Sequence, residues 1–320
     1  MNKFLIIQTA FIGDVILATA VVEKLHQFYP DSKIDFLLRK GNEGLLENHP
    51  IVNEVLIWNK KNKKYDNLKA ITKSVKNAKY DVLINLHRFS SSGLVTAFSG
   101  AKQKIGFKKN PLSFSFSKTF EHNIGDGTHE TERNQKLIAD LTDIQVDKPK
   151  LYPSNKDYSD VESLKIGDYV CMAPTSVWFT KQLPKEQWLK LIAKTNDKYS
   201  IYLLGGPDDA ENCEEIKQLS KNIKVLNLSG KLSFLASAAL MQNAKMNYVN
   251  DSAPLHIASA MNAPVTAYFC STIPSFGFGP LSTNSKIIEI KEKLTCKPCG
   301  LHGKKECPEG HFDCGFKIEV

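Results

Sequence analysis

Short apolar segments of strand length alternate with amphipathic segments of helix length along most of this chain. In the first half, residues 4–8, 34–38, 55–59 and 81–86 have the length and apolar content of buried strands, and residues 14–28, 67–76, 92–98 and 130–141 are predicted to be helical. The strands are nearly continuously apolar, which is typical of parallel sheets that helices cover on both faces. The alternation predicts an α/β fold with doubly wound parallel sheets.

The alternation stops once, in the segment VDKPKLYPSNKDYSD (residues 146–160), and then begins again. This segment is rich in Pro, Lys, Asp and Ser and has no periodicity, which indicates a linker. Beyond it, strands are predicted at residues 169–173, 201–204, 225–228, 246–250 and 265–270, and helices at residues 185–195, 208–219, 233–241 and 253–261. A length of 320 residues suits two domains. We therefore predict two Rossmann-like domains, residues 1–155 and 156–290, that face a central cleft, followed by a cysteine-rich tail, residues 291–320.

The composition and charge of the chain indicate which binding partners and which cellular location to expect. The net charge of +8 suits anionic partners such as nucleotide-sugars, acidic glycolipids or a membrane surface, although a lysine-rich solvated surface accounts for it as well. The sequence has no RNP-like aromatic motif and no arginine-rich arm, which argues against nucleic acid as a partner. We expect no signal peptide, and no apolar run approaches the ~18–20 residues of a spanning helix. We expect a cytoplasmic monomer whose seven cysteines are thiols or metal ligands rather than disulfides.

The sharpest candidate for a ligand site is the segment NDSAPLHIASAM (residues 250–261). A predicted strand ends at Asp251, Ser252 can cap the following helix, and Pro254 falls in the first helical turn, where a missing N–H costs little. Free N–H groups and the positive end of the helix dipole suit a diphosphate, and Asp251 and His256 can add side-chain contacts. The alternative is a well-capped helix without a ligand, in which His256 is a packed core residue.

Two more strand-to-helix turns of the second half carry candidate donor-binding residues. In LLGGPDD (residues 203–209), Gly205 and Gly206 permit close backbone approach to a nucleotide or positive φ, although many α/β turns look like this. In APTSVWFTKQLPKEQW (residues 173–188), a loop carries hydroxyls and one ammonium group that can stabilise a leaving phosphate without a metal. The residues concerned are Thr175, Ser176, Thr180 and Lys181. The alternative is an ordinary surface loop.

The first half has one candidate, the turn QTAFIGDV (residues 8–15) between the first strand and the first helix. It is not the dinucleotide fingerprint, because the chain has no G-x-G-x-x-G. Gly13 allows the tight turn, and the Asp14 carboxylate can take a proton from an acceptor hydroxyl. The positive end of the helix should weaken such a base, and the alternative is a carboxylate that only stabilises the helix.

Taken in order, these segments resemble the heptosyltransferase family, the inverting enzymes that build the inner core of lipopolysaccharide. The resemblance runs from residue 3 to about residue 282 and rests on IGDV, NLHR, IGF, HETERN, PTSVWFTKQLP, LLGGPDD and NDSAPLHIA. It implies a GT-B fold and transfer of a heptose from an ADP-activated donor, with inversion and without a metal cofactor. The lack of any D-x-D triplet agrees with a metal-free reaction.

The resemblance also implies residue roles. Asp14 matches the general base of the family and Lys181 the lysine that contacts the donor phosphates. Asp251, with the turn Ser252–Ala253, matches the donor site, and His256 lies in the same motif. Gly13, Arg88 and Lys108, the last within the basic segment KQKIGFKK, fit an anionic glycolipid acceptor at the inner face of the cytoplasmic membrane.

The chain departs from the family pattern at two positions of the Lys181 loop. Thr175 stands where the family often has Gly, and Leu183 where it often has Trp. The departures leave open another nucleotide-sugar or another acceptor. A sugar-nucleotide epimerase of the same fold and a non-catalytic binding module are the other classes of function that we consider.

Four of the seven cysteines lie in the last 25 residues, Cys296, Cys299, Cys307 and Cys314. The C-x-x-C pair followed by two more cysteines resembles a zinc ligand set, although the second pair is more widely spaced than usual. Packed free thiols and disulfides are the alternatives. Four thiolates would close the zinc shell and leave no open position, so a metal there would be structural. The resemblance implies that catalysis requires no cofactor.

Overall fold

The fold was taken from a computed structural model that describes residues 2–195 and 199–320. The chain divides into two compact units. The first runs to Ile124 and includes Thr128–Tyr152, and the second comprises Gly125–Gly127 and Pro153–Val320. The boundary lies close to the end of the first predicted domain at residue 155. Residues 291–320, which the sequence analysis separates as a tail, belong to the second unit.

The first unit is built on one parallel sheet of six strands with the order β3-β2-β1-β4-β5-β6. Its strands are β1 (Lys3–Ile7), β2 (Lys33–Arg39), β3 (Val52–Trp58), β4 (Val82–Asn85), β5 (Gln103–Phe107) and β6 (Lys118–Phe120). Its helices are α1 (Ile12–Phe28), α2 (Lys64–Asn77), α3 (Ser90–Phe98) and α4 (Glu130–Lys136).

The second unit repeats the same topology, because its parallel sheet has the order β12-β11-β10-β7-β8-β9. Its strands are β7 (Tyr169–Ala173), β8 (Ser200–Leu203), β9 (Val225–Asn227), β10 (Asn247–Asn250), β11 (Val265–Phe269) and β12 (Ser285–Glu289). Its helices are α5 (Asn155–Asp160), α6 (Lys185–Lys194), α7 (Ala210–Ser220), α8 (Phe234–Gln242), α9 (Ala253–Ala260) and α10 (Asp313–Phe316).

Numbered within its own unit, each sheet has the strand order 3-2-1-4-5-6 of a Rossmann fold. The predicted α/β class with two Rossmann-like, doubly wound domains is therefore confirmed. In such sheets, ligands bind beyond the carboxyl ends of the strands, where the winding direction reverses. This reversal lies between β1 and β4 in the first unit and between β7 and β10 in the second. The catalytic, donor-binding and acceptor-binding residues predicted from the sequence lie after one of these four strands, with three exceptions. Gly205 and Gly206 follow β8, and Lys108 follows β5.

Each unit has its own apolar core. In the first, Leu5 and Ile7 of β1 pack with Leu37 of β2 and the fully buried Trp58 of β3. In the second, the core contains side chains of β7, β8, α6 and α7, and three residues near the end of the chain join it. These three are Phe312, Cys314 and Ile318. The end of the chain is therefore part of the packing of the second unit.

The differences from the predicted elements concern edges and short segments. Strands β5, β6 and β12 were not predicted, since they have three to five residues and partly exposed sequences such as KTF and SKIIE. The predicted linker contains helix α5, which is nucleated by Ser154. The Ser154 hydroxyl accepts from Asp157 N and the Asp157 carboxylate accepts from Ser154 N, a reciprocal cap. Helix α4 ends at Lys136 instead of residue 141.

No helix among residues 2–195 and 199–320 combines the length and the apolar character that a membrane crossing requires.

Candidate active site

The centre of the site in the second unit is an ion pair between Lys181 and Asp251. Lys181 ends a short 3₁₀ helix (Phe179–Lys181) after β7, and Asp251 directly follows β10. The Lys181 Nζ atom lies 2.7 Å from Asp251 Oδ2, and that oxygen also accepts a hydrogen bond of 2.6 Å from Thr272 Oγ1. The Asp251 side chain is 6 % exposed and that of Lys181 is 16 % exposed. The ammonium group is thus oriented by a buried carboxylate.

The side chain of Asn250 ties the Lys181 loop to the adjacent strand. Its Oδ1 accepts a hydrogen bond of 2.9 Å from Leu183 N, and its Nδ2 donates to the carbonyl oxygens of Ala173 and Thr175. Asn250 is fully buried, and both the oxygen and the nitrogen of its side-chain amide form hydrogen bonds within the protein. The loop before and after Lys181 is therefore held to the carboxyl end of β10.

Helix α9 begins beside this pair. Ser252 occupies the N-cap position with an extended backbone, as predicted, but its hydroxyl accepts no hydrogen bond from the helix. The hydroxyl donates instead to Asn250 O at 3.5 Å. Pro254 lies in the first turn of the helix, which starts at Ala253. His256 is 5 % exposed and packs edge-on against Phe278, so its ring lies in the interior.

The other predicted residues of the Lys181 loop differ in exposure. Thr175 is buried and Ser176 is partly exposed. Thr180 is 1 % exposed, and its hydroxyl bonds to Lys304 and Ser271. The Thr180 hydroxyl therefore points into the protein interior, where it is already hydrogen-bonded to Lys304 and Ser271. Its predicted contact with a donor would require those bonds to be replaced.

The glycine turn after β8 has a packing role. Neither Gly205 nor Gly206 has positive φ. A Cβ atom on Gly205 would lie 2.7 Å from Cβ of Asp209, so the turn has no room for a side chain there. The Gly206 N–H donates to the Asp209 carboxylate at 2.8 Å. Local packing therefore accounts for the glycine at position 205, whereas a Cβ atom on Gly206 would meet Asp209 only at 3.6 Å, an ordinary contact distance. The contact of both glycines with a nucleotide stays a prediction.

In the first unit, Asp14 lies in the first turn of α1 and is partly buried. Its Oδ2 accepts a hydrogen bond of 3.1 Å from Phe11 N. Burial raises the pKa of Asp14 to about 6, and repulsion from Glu130 adds to the rise, although the Phe11 N–H and the Arg88 charge oppose it. The expected weakening of this base by the helix terminus is thus outweighed by burial.

Cationic side chains surround the carboxyl ends of the strands beside Asp14. The charges of Asp14 and Arg39 interact, and Arg39 lies 4.9 Å from the ring centre of Phe11. Lys60 Nζ donates to Thr9 O at 2.7 Å, and burial lowers its pKa to about 8. Arg88 was predicted from the sequence, whereas Arg39 and Lys60 were not. The signal that could have identified them is their position in the sequence, because Arg39 ends β2 and Lys60 lies just after β3.

The remaining predicted acceptor residues, Gly13 and Lys108, differ in their exposure to solvent. Gly13 is partly buried in the first turn of α1. Lys108 follows β5 and is 67 % exposed, and its ammonium pairs with Glu121 at 2.8 Å. This hydrogen bond raises the pKa of Lys108 above its usual range. Lys108 is therefore a surface cation.

The four cysteines near the end of the chain have different environments. Cys296, Cys299 and Cys307 are partly buried thiols, whereas Cys314 is buried in the core. Cys299 Sγ donates to Cys296 O at 3.2 Å. In the part of the chain that the structure describes, no three His, Cys, Asp or Glu side chains form a group that could hold a metal ion. The zinc site stays a prediction from cysteine spacing.

Comparisons with known proteins point to one family. The family model for glycosyltransferase family 9 (heptosyltransferase) matches residues 68–311. Lipopolysaccharide heptosyltransferase 3 of Escherichia coli is 31% identical over 81% of this chain and 80% of its own length. The E. coli ADP-heptose lps heptosyltransferase II has a similar structure, with a TM-score of 0.79 and 20% identity over 93% of this chain and 96% of its own.

A further solved structure is the E. coli heptosyltransferase WaaC with ADP-2-deoxy-2-fluoro heptose. It superposes with a TM-score of 0.71 at 20% identity, over 89% of this chain and 92% of its own. The structural likenesses show the fold, and the family model covers most of the chain. The protein belongs to glycosyltransferase family 9, the heptosyltransferases, and is a glycosyltransferase.

Proposed function

We propose that this enzyme transfers a heptose from ADP-heptose to the inner core of lipopolysaccharide, with inversion at the anomeric carbon and without a metal cofactor. The observation that carries the proposal is the Lys181–Asp251 pair beside the start of α9. The relative at 31% identity is named for heptose transfer to lipopolysaccharide, and WaaC was solved with an ADP-heptose analogue.

The donor role rests on the charge and the placement of Lys181. Its ammonium keeps some exposure while Asp251 holds it at a defined position. The diphosphate of a nucleotide-sugar would accept hydrogen bonds from this ammonium and from N–H groups at the start of α9. As the bond from the anomeric carbon to the phosphate oxygen breaks, negative charge grows on ADP. A preplaced cation stabilises that charge, which is the task a metal ion performs in other transferases.

The acceptor role rests on Asp14. With a pKa of about 6, its carboxyl group is about nine-tenths ionised at pH 7. The carboxylate takes the proton of the acceptor hydroxyl while the hydroxyl oxygen bonds to the anomeric carbon and ADP departs from the opposite side. This displacement inverts the anomeric configuration. A raised pKa also makes Asp14 a stronger base than an ordinary carboxylate.

The pH dependence of kcat/KM tests the role of Asp14. We expect activity to fall about tenfold per pH unit below about pH 6, since only the ionised carboxylate accepts a proton. Glu130→Gln removes a negative charge that raises the pKa of Asp14, so this acid limb should move to lower pH. An acid limb that stays in place in Glu130→Gln would contradict the electrostatic coupling of the two residues.

We further propose that the first unit meets an anionic glycolipid at a membrane surface. Arg39, Lys60 and Arg88 supply positive charge near Asp14. Helix α2 adds exposed lysines on its outer side, while Leu68 and Val75 on the opposite side are buried. The exposed lysines of this helix are Lys64, Lys69, Lys73 and Lys76. Each lysine near an anionic surface contributes about 1 kcal/mol to binding.

Vesicle sedimentation tests this membrane contact. The triple variant Lys69→Glu, Lys73→Glu and Lys76→Glu should bind phosphatidylglycerol vesicles at least about tenfold more weakly than the native protein. The control reverses three exposed lysines of the second unit, Lys190, Lys221 and Lys286, with the same change in net charge. Equal losses in both variants would mean that net charge alone governs the binding.

The transfer reaction is tested by mass spectrometry of the enzyme with ADP-heptose, with and without a heptose-acceptor lipid, in the presence of EDTA. The proposal predicts a heptosylated lipid and ADP only when both substrates are present. An isomerised nucleotide-sugar formed from the donor alone would favour an epimerase. Transfer from a different nucleotide-sugar would keep the enzyme class and overturn the donor.

A further inference from the structure

The cysteine loop, residues 296–307, contacts the loop that carries Lys181. Thr180 N donates to Lys304 O at 3.1 Å, and Lys304 N donates to Thr180 Oγ1 at 2.7 Å. These two bonds join segments that are 124 residues apart in the sequence. Thr180 is the immediate neighbour of Lys181 and is 1 % exposed. The cysteine loop therefore fixes the backbone directly before the donor lysine.

A second set of bonds connects the cysteine loop with Asp251. Cys299 N donates to Ser271 O at 2.9 Å, and Ser271 donates through its N–H and its hydroxyl to Thr180 O and Thr180 Oγ1. The next residue, Thr272, donates to the Asp251 carboxylate. Both partners of the ion pair are thus held by segments that the cysteine loop binds.

The closest approach is made by Gly303. Its φ of +76° lies in the left-handed region. A Cβ atom there would lie 2.9 Å from Cγ of Lys181 and 3.1 Å from Thr180 Oγ1. The backbone of the cysteine loop therefore packs against the aliphatic stem of Lys181. A lysine side chain has four rotatable bonds, so a wall on one side of its stem limits the positions of its ammonium group.

We infer that the cysteine loop is a positioning element for the donor site, which sets the location of the Lys181 ammonium through Gly303 and Thr180. The inference rests on the proposed contact of Lys181 with the donor diphosphate. The cysteine loop would not touch substrate. It would act by keeping Lys181 where the departing ADP develops charge, and small displacements of such groups cost large factors in rate.

The decisive comparison is Gly303→Ala against Gly310→Ala. Both glycines have nearly equal positive φ, +76° and +74°, so alanine introduces a similar backbone strain at each. A Cβ atom on Gly310 meets nothing within 4 Å, whereas one on Gly303 would lie 2.9 Å from Cγ of Lys181, a clash that forces the lysine stem or the loop to move. We expect Gly303→Ala to raise the KM for the donor and to lower kcat, each by about tenfold, with an unchanged KM for the acceptor. Gly310→Ala should stay within about twofold of the native enzyme in all three constants.

A second pair of variants covers the case in which Gly303→Ala fails to fold. Thr180→Val removes the oxygen that accepts from Lys304 N, and Thr180→Ser retains it. The valine variant should show the same rise in donor KM and fall in kcat, and the serine variant should restore both constants. Equal donor constants in the two glycine variants, or in the two Thr180 variants, would overturn the inference.

Lys181→Ala distinguishes this result from failure of the proposed function. If Lys181→Ala impairs donor binding while Gly303→Ala behaves like Gly310→Ala, the cysteine loop has no positioning role and the donor site stands. If Lys181→Ala leaves the donor constants unchanged, the assignment of Lys181 is wrong, and the positioning role of the cysteine loop falls with it.

Discussion

Asp14→Asn lowers kcat by about 10²–10⁴-fold and leaves donor affinity nearly unchanged, if Asp14 is the base. The substitution keeps the shape of the side chain and an oxygen that can accept from Phe11 N. It removes the group that takes the proton of the acceptor hydroxyl. Steady-state kinetics with both substrates, and donor binding by calorimetry, measure the two effects separately. Near-normal turnover would show that another group is the base.

Thermal unfolding at pH 8 provides the control for this variant. The pKa of Asp14 is raised in the folded protein, so the folded state binds its proton more tightly than the unfolded chain does. Stability from this group is therefore present at low pH and is lost as the pH rises from about 4 to about 6. Asparagine carries no charge to desolvate, so we expect Asp14→Asn to be at least as stable as the native protein at pH 8. A loss of turnover would then be a loss of chemistry.

Lys181→Ala should raise the KM for the donor and lower kcat by about 10²–10³-fold, because one preplaced cation is lost from the site where the leaving group develops charge. The variant also leaves the buried Asp251 carboxylate without its ammonium partner, although Thr272 still donates to it. Lys181→Arg keeps the positive charge but replaces the compact ammonium group with a planar guanidinium group. This variant should recover part of the donor affinity.

Lys185→Ala is the matched control for this variant. Lys185 lies four residues further along the chain and pairs with Glu215 between α6 and α7, where both side chains are partly exposed. Surface pairs of this kind contribute little to stability. Lys185→Ala should therefore leave both donor constants unchanged. A loss of donor affinity as large as that of Lys181→Ala would point to a general effect of charge.

The repeated Rossmann topology was predictable because its central strands are continuous apolar runs. Strands β1, β4 and β7 are buried on both faces, so their sequences contain almost no polar residue. Edge strands such as β6 and β12 face solvent and carry lysines, which hides them from a search for apolar runs. Helix α5 was missed for a different reason, since six polar residues have no apolar stripe and only the Ser154 cap marks its start.

Candidate site residues could be proposed from the sequence where they lie in the segment that follows a predicted strand. Asp14, Lys181 and Asp251 belong to short motifs whose order along the chain identified the family. The contacts of Lys304 with Thr180 and of Thr272 with Asp251 join distant segments, and a single sequence contains no signal for such pairs. The raised pKa of Asp14 depends on burial and on Glu130, which is distant from it in the sequence. Folding creates these features, so they could not be predicted from spacing.

Calorimetric titration of ADP into the native protein, Asp14→Asn and Lys181→Ala is the most direct test of the division of roles between the two units. We predict that Asp14→Asn binds ADP as the native protein does, although it turns over at least about a hundredfold more slowly. Lys181→Ala should bind ADP at least about tenfold more weakly. ADP affinity that falls in Asp14→Asn and is unchanged in Lys181→Ala would place the nucleotide in the first unit and overturn the assignment of the donor site to the second.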